Sequence, residues 1–326
     1  MVRQTFKTKL PSVPVVAVSC LALCLSAFSI EAVAWGQDWF EKLEHKFAEN
    51  EGVKLHYVKS GRGPLIVFIH GFPDFWYSWR HQIRGLAEDF TVVAMDTRGY
   101  NLSGQPEEES QYEMSHLVSD VVAVINNEGS MKAIVAGHDW GGAIAWSTAV
   151  SHPDKVEQLV IVNLPHPACL TRELMSKDSQ QHRNSVYART FQTPGSHLAL
   201  NPTLLTSFLG LKSSEDRERY LEAFKKSSIQ GMMNYYKRNY PREPYQMPSL
   251  PKVQMPVLQF HGLGDNALLA PALNNTWDQL AKDWTLVTLP GVGHWAHHEA
   301  PEKVTETMRW WLRMQRESKS ISEAAK

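Results

Sequence analysis

The sequence is poor in cysteine, has no long run of one charge sign, and contains neither internal repeats nor low-complexity tracts. Of its 3 cysteines, Cys20 and Cys24 fall in an apolar leading segment and only Cys169 lies beyond it. A chain that has shed that segment therefore has no intramolecular disulfide, and its core alone must hold the fold. The 33 basic and 34 acidic residues are interspersed and nearly cancel, which excludes an electrostatic grip on nucleic acid. A Gly-rich phosphate loop is missing. No close His/Cys/Glu set has metal-ligand spacing, His166 and His261 included, so neither a cofactor nor a metal is expected. What is left, 43% apolar and 21% charged residues over 326 positions, is enough for a sizeable globular core.

The first residues read differently from the rest. Arg3, Lys7 and Lys9 precede an apolar run from Val13 to Ile30 and then Ala32-Val33-Ala34, the layout of a signal peptide cleaved after Ala34. A secreted or periplasmic protein with no stable membrane association after cleavage is the expectation. Two other readings compete: a retained N-terminal membrane anchor, because the run approaches spanning length, and a lipoprotein signal on Cys20 or Cys24. Pro14 and interspersed serines weaken the first, and the residues before both cysteines weaken the second.

Beyond a Trp- and charge-rich lead-in, short β-rich runs at Val53–Val58, Leu65–Ile69, Phe90–Met95, Ala133–Ala136 and Leu159–Val162 alternate with helical spacing at Tyr77–Glu88, Met114–Asn126 and Ala143–Val150. Several runs are apolar throughout, as strands covered on both faces must be, so a mostly parallel sheet flanked by helices follows. After Asn163 the alternation stops. A helical insert spans residues 165–248, with Glu215–Ser227 and Ile229–Asn239 as its clearest segments, and returns through Pro241, Pro244, Pro248 and Pro251. Alternation resumes with Val257–Phe260, Pro271–Ala281, Thr285–Leu289 and a closing helix near Glu302–Met314. The reading is α/β: a core in two parts, residues 35–164 and 249–316, a cap between them, and a fraying polar tail at 317–326.

Asp139 follows the run Ala133–Ala136 and precedes the small-residue stretch Gly141-Gly142-Ala143-Ile144-Ala145. A strand, sharp turn and helix hold a central side chain exposed in strained geometry, and the flanking glycines relieve clashes there. Serine commonly fills such a slot. A carboxylate needs no base to attack, but its ester must then be hydrolysed by an activated water, so a histidine is required. His294 in Gly291-Val292-Gly293-His294-Trp295 follows a strand and is preferred to His297 and His298; Asp265, after the intermediate strand, is the orienting acid, although it or the adjacent Asn266 could instead initiate the helix that follows. Donors for the oxyanion are the backbone N–H groups of Phe72, in His70-Gly71-Phe72-Pro73, and of Trp140.

These residues carry a resemblance. His70-Gly71-Phe72-Pro73-Asp74, Asp96-Thr97-Arg98-Gly99-Tyr100, Gly137-His138-Asp139-Trp140-Gly141-Gly142 and Gly293-His294-Trp295 look like α/β-hydrolase-fold epoxide hydrolases, roughly from Glu51 to Arg316. The order Asp139, Asp265, His294 is that of the fold. The resemblance implies an eight-stranded-type core with an inserted helical cap and a cofactor-free opening of a small apolar epoxide by Asp139 and water. Two cap tyrosines would donate to the epoxide oxygen: Tyr187, within Asn184–Gly195, and Tyr236, within Asn234–Asn239, with Tyr235 and Tyr240 as alternatives to the latter. His70, Phe72, Pro73, Trp140 and Trp295 are expected at the substrate pocket. Two rival functions stand: a haloalkane or haloacetate dehalogenase with the same triad, and a cap-gated binding protein without turnover.

Overall fold

A computed structural model describes residues 38–324. The chain divides into two units, residues 1–42 and 43–326. Of the first, only a short helix, α1 (Asp38–Glu41), and the turn after it are described; the expected signal segment and its cleavage point lie outside the described residues.

The second unit is built on one 8-stranded sheet of β1 (Glu44–Asn50), β2 (Val53–Gly61), β3 (Leu65–Ile69), β4 (Thr91–Met95), β5 (Ala133–His138), β6 (Val156–Val162), β7 (Val257–Gly262) and β8 (Trp284–Leu289), in the spatial order β1-β2-β4-β3-β5-β6-β7-β8. β1, β2 and β4 pair antiparallel and the strands from β4 to β8 pair parallel. Every residue of β3, β5 and β7 is buried, which is why β3 and most of β5 read as continuous apolar runs; β7 carries Gln259 and His261 inside.

Between the strands lie α2 (Arg80–Leu86), α3 (Met114–Asn127) and α4 (Trp140–Ser151), the last packed on β5 and β6. The segment between β6 and β7 carries six α-helices: α5 (Pro167–Met175), α6 (Gln180–Asn184), α7 (Val186–Phe191), α8 (Pro202–Phe208), α9 (Ser214–Lys225) and α10 (Ile229–Asn239). Five of them begin at side-chain caps: the oxygens of Ser179, Asn201, Ser213 and Ser228 and the Nδ1 of His166 accept N–H groups of the first turn. After β8 come α11 (Ala296–Glu299) and α12 (Pro301–Ala324).

Four details differ from the sequence reading. The charge-rich lead-in holds β1, an edge strand in which only Ala48 is buried, so its apolar signal is faint. Tyr77–Glu88 is a 3-10 turn, Trp76–Trp79, leading into the shorter α2. Pro271–Ala281 is no helix but two 3-10 turns, Ala270–Leu273 and Thr276–Gln279, separated by Asn275 at φ 64. The tail from Glu317 continues α12 as far as Ala324; no proline or glycine follows Pro301 to stop it.

Candidate active site

Each chemistry-bearing residue sits just past the carboxyl end of a parallel strand, where open α/β sheets place their ligands: Phe72 after β3, Asp139 after β5, Asn163 after β6, Asp265 after β7 and His294 after β8. Asp139 turns from β5 into α4 at φ 51, ψ −121, a conformation that costs a non-glycine residue about 1–3 kcal/mol and lifts its side chain off the sheet. The β3 loop closes on it. A Cβ at Gly71 would lie 2.4 Å from Asp139 Cβ and 2.6 Å from its Oδ1, so only glycine lets the loop pass. The Phe72 N–H then donates to Asp139 Oδ1 at 2.9 Å. Trp140 opens α4, and its N–H is one of those that a first helical turn leaves without an intrahelical acceptor.

His294 bridges two carboxylates. Its Nδ1 lies 2.8 Å from Asp265 Oδ2 and its Nε2 3.6 Å from Asp139 Oδ2. Asp265 is itself held: Oδ1 accepts from the Ala267 and Leu268 amides at 2.8 and 3.0 Å, and Oδ2 accepts from Asn163 Nδ2 at 2.9 Å. Burial works against charge on all three members of the triad, and their mutual attraction outweighs it. Asp265 is held at about 2 by His294 and these donors. The Asp139 carboxyl is lowered by His294 and the Phe72 N–H. His294 is raised to about 10 by Asp265 and Asp139. At neutral pH the resting site therefore holds an imidazolium between two carboxylates.

A cavity of about 410 Å³ opens beside Asp139, lined by Trp140, Leu170, Tyr187, Tyr236, Tyr240 and further apolar side chains of the insert. Tyr187 and Tyr236 stand with ring centroids 6.3 Å apart. Burial drives both phenols well above their ordinary value of 10.0, so they keep their protons as O–H donors. Trp140 meets Tyr236 edge to face at 5.0 Å.

Residues 64–301 match the model of the alpha/beta hydrolase fold family. The chain belongs to the α/β-hydrolase fold family. This hydrolase is 34% identical over 284 residues to the AB hydrolase superfamily protein YfhM of Bacillus subtilis, covering 83% of this chain and 98% of that one. With Epoxide hydrolase 1 of Caenorhabditis elegans it shares 32% identity over 290 residues, 83% of this chain and 71% of the relative. The crystal structure of a Bacillus megaterium epoxide hydrolase in complex with an inhibitor is 30% identical, with a TM-score of 0.77, and covers 82% of this chain and 100% of that one.

The hydrolase brings together Asp139, Asp265, His294, Trp140, Tyr187, Tyr236 and the Phe72 amide, all singled out in the sequence. The pocket expected from sequence is redrawn: His70, Phe72, Pro73 and Trp295 do not line the cavity. His70 is buried beneath the loop, its Nδ1 bonded to the Gly71 carbonyl and its Nε2 accepting from the Thr97 N–H. Phe72 turns its ring against Phe191 and Tyr236, and Pro73 follows it through a cis peptide. Trp295 packs edge to face on His294 at 4.8 Å. Of the alternative tyrosines, Tyr235 is committed elsewhere, its O–H donating to the Arg98 carbonyl at 2.8 Å, whereas Tyr240 does line the cavity. His138 is a scaffold group, its Nε2 lying 2.9 Å from the His294 carbonyl.

Two positioning residues escaped the sequence. Asn163, at φ 48, orients Asp265; its signal was a turn-tolerant asparagine directly after an apolar strand. Glu299 accepts the Gly293 and Trp295 N–H groups at 2.8 and 3.2 Å and so fixes the histidine turn, a role that no local pattern announces.

Proposed function

We propose that this hydrolase is an epoxide hydrolase that converts an epoxide to a vicinal diol through a covalent ester on Asp139. The observation that carries the reading is a carboxylate in the elbow that lines the same cavity as Tyr187 and Tyr236. Asp139 Oδ1 is already engaged by the Phe72 N–H, so Oδ2, which faces His294 Nε2 at 3.6 Å, is the nucleophile. It attacks an epoxide carbon, the carbon–oxygen bond breaks, and the oxygen takes up a tyrosine proton. The ester removes one of the two negative charges beside His294, so its pKa falls, its Nε2 proton passes by way of water to the tyrosinate, and the neutral imidazole becomes a base. A water deprotonated there attacks the ester carbonyl. The Phe72 and Trp140 amides hold the resulting oxyanion, whose collapse releases the diol and restores Asp139. The names of the relatives support the substrate class.

Displacement of halide is the second reading, favoured by the Trp140 indole at the cavity wall. A departing halide needs no proton, so it leaves the paired phenols without a task. His294→Gln separates the two, because it stalls water attack. Incubated with an epoxide, the variant should gain the mass of the whole epoxide. A gain equal to a haloalkane minus its halogen, with no epoxide adduct, would favour dehalogenation.

A further inference from the structure

Behind the Phe72 loop lies a buried polar cluster for which the proposed reaction has no use. Asp74 and His297 are fully buried, and the His298 side chain is 8% exposed. Asp74 Oδ1 accepts from the Tyr220 O–H at 2.8 Å and the Phe75 N–H at 3.0 Å. Asp74 Oδ2, His298 Nε2 and both ring nitrogens of His297 are buried without a hydrogen-bond partner. Unpaired polar atoms inside a protein each cost about 1–3 kcal/mol, so a concentration of four needs an occupant. One ligand atom from each of the three residues lies within 4.8 Å of the others, and this is the one such group among the described residues. Sequence spacing could not reveal it, because Asp74 and the two histidines come from opposite ends of the core.

We propose that Asp74, His297 and His298 form a binding site for a divalent transition-metal ion of the Zn2+ type. Tetrahedral bonds of about 2.0–2.2 Å require ligand atoms roughly 3.3 to 3.6 Å apart. His298 Nε2 and Asp74 Oδ2 stand at 3.8 Å, so they must close by about 0.2 to 0.5 Å. His297, within 4.8 Å of both, must close by no more than about 1.5 Å. Two imidazoles and one carboxylate select Zn2+, Co2+ or Ni2+ over Mg2+ and Ca2+, which prefer all-oxygen sites. An outer shell is already built: Tyr220 orients Asp74, and the Trp79 ring lies 4.4 Å from that of His297. Arg80 opposes a cation here, but its guanidinium is paired with Asp216 at 3.3 Å. The ion would tie the loop that carries the Phe72 amide to the turn that carries His294, bracing the site from behind.

The test is titration of chelator-stripped, dialysed full-length protein with Co2+, followed by Zn2+. One equivalent of Co2+ should produce visible d–d absorption bands that Zn2+ displaces, and Zn2+ should raise the melting temperature. Asp74→Asn and His298→Gln should each remove the bands and the thermal shift while leaving the circular dichroism spectrum unchanged. Affinity should fall by more than the ~10–100-fold typical of outer-shell changes. His116→Gln, at the surface, should keep both signals. If one of the two ligand variants fails to fold, the other carries the test. Absence of saturable Co2+ binding below millimolar concentration, or bands that persist in the folded ligand variants, would overturn the proposal and leave buried water as the occupant.

Discussion

Asp265→Asn isolates the half of the reaction that depends on His294. In the native site, Asp265 Oδ2 accepts from Asn163 Nδ2 and faces His294 Nδ1 at 2.8 Å, while Oδ1 takes two backbone amides. An asparagine can keep the two amides only by placing its own NH2 against His294 Nδ1 and Asn163 Nδ2, donor against donor. Two consequences follow. The imidazole turns its bare nitrogen toward the new amide and points N–H at the ester, the wrong tautomer for a base, a change worth about 10⁴-fold in turnover where a triad aspartate is neutralised. The buried donors left unpaired cost about 1–3 kcal/mol of stability. Alkylation of Asp139 needs no base, so it should slow far less than hydrolysis. Rapid-quench intact mass spectrometry with enzyme in excess over epoxide should show the ester accumulating to near one equivalent while kcat collapses. A kcat within tenfold of the parent, or adduct formation slowed as much as hydrolysis, would refute this division of labour.

Three further outcomes are expected. Tyr187→Phe and Tyr236→Phe should each lower the alkylation rate by about 10²-fold, whereas Tyr235→Phe should cost about 1 kcal/mol of stability and leave alkylation nearly unchanged; single-turnover kinetics and denaturant melts separate the two. His294, raised to about 10 in the fold, stabilises fully below its ordinary 6.5 and loses that contribution as pH climbs toward 10. Asp265, held at about 2, stabilises above its ordinary 3.8 and loses that contribution as pH falls toward 2, so the melting-temperature gap between the parent and His294→Gln should be widest at about pH 4 to 6.5. We also propose that export removes the leading segment, so N-terminal sequencing of protein from its native host should begin at Trp35; a mature chain starting at Met1 would contradict this.

The triad was legible because each member follows a strand that is itself legible. β5 and β7 are buried on both faces, so the runs before Asp139 and Asp265 are mostly apolar, with Gln259 and His261 as the polar residues of β7, and glycines mark the turns beyond them. Edges carry less signal. Glu44–Asn50 turns only Ala48 inward, so hydrophobic patterning had nothing to register, and Asn275 at φ 64 splits Pro271–Ala281 where composition alone reads as helix. The cavity wall was the least legible part, because it is assembled from separate helices of the insert whose side chains converge only after folding. His70 and Trp295, close in sequence to functional groups, turn out to support them instead. The cluster of Asp74, His297 and His298 belongs to the same class: it exists only once β3 and the turn after β8 are brought together.

The central claim, covalent attack by Asp139, is tested most directly by a single turnover in H2(18)O with enzyme in excess over epoxide. Water is proposed to attack the ester carbonyl, so the oxygen delivered to the diol comes from the Asp139 carboxylate. The first-turnover diol should be unlabelled, and the peptide containing Asp139 should gain one 18O. A diol that carries the label in the first turnover, with the Asp139 peptide unlabelled, would mean that water attacks the epoxide directly and that Asp139 is no nucleophile.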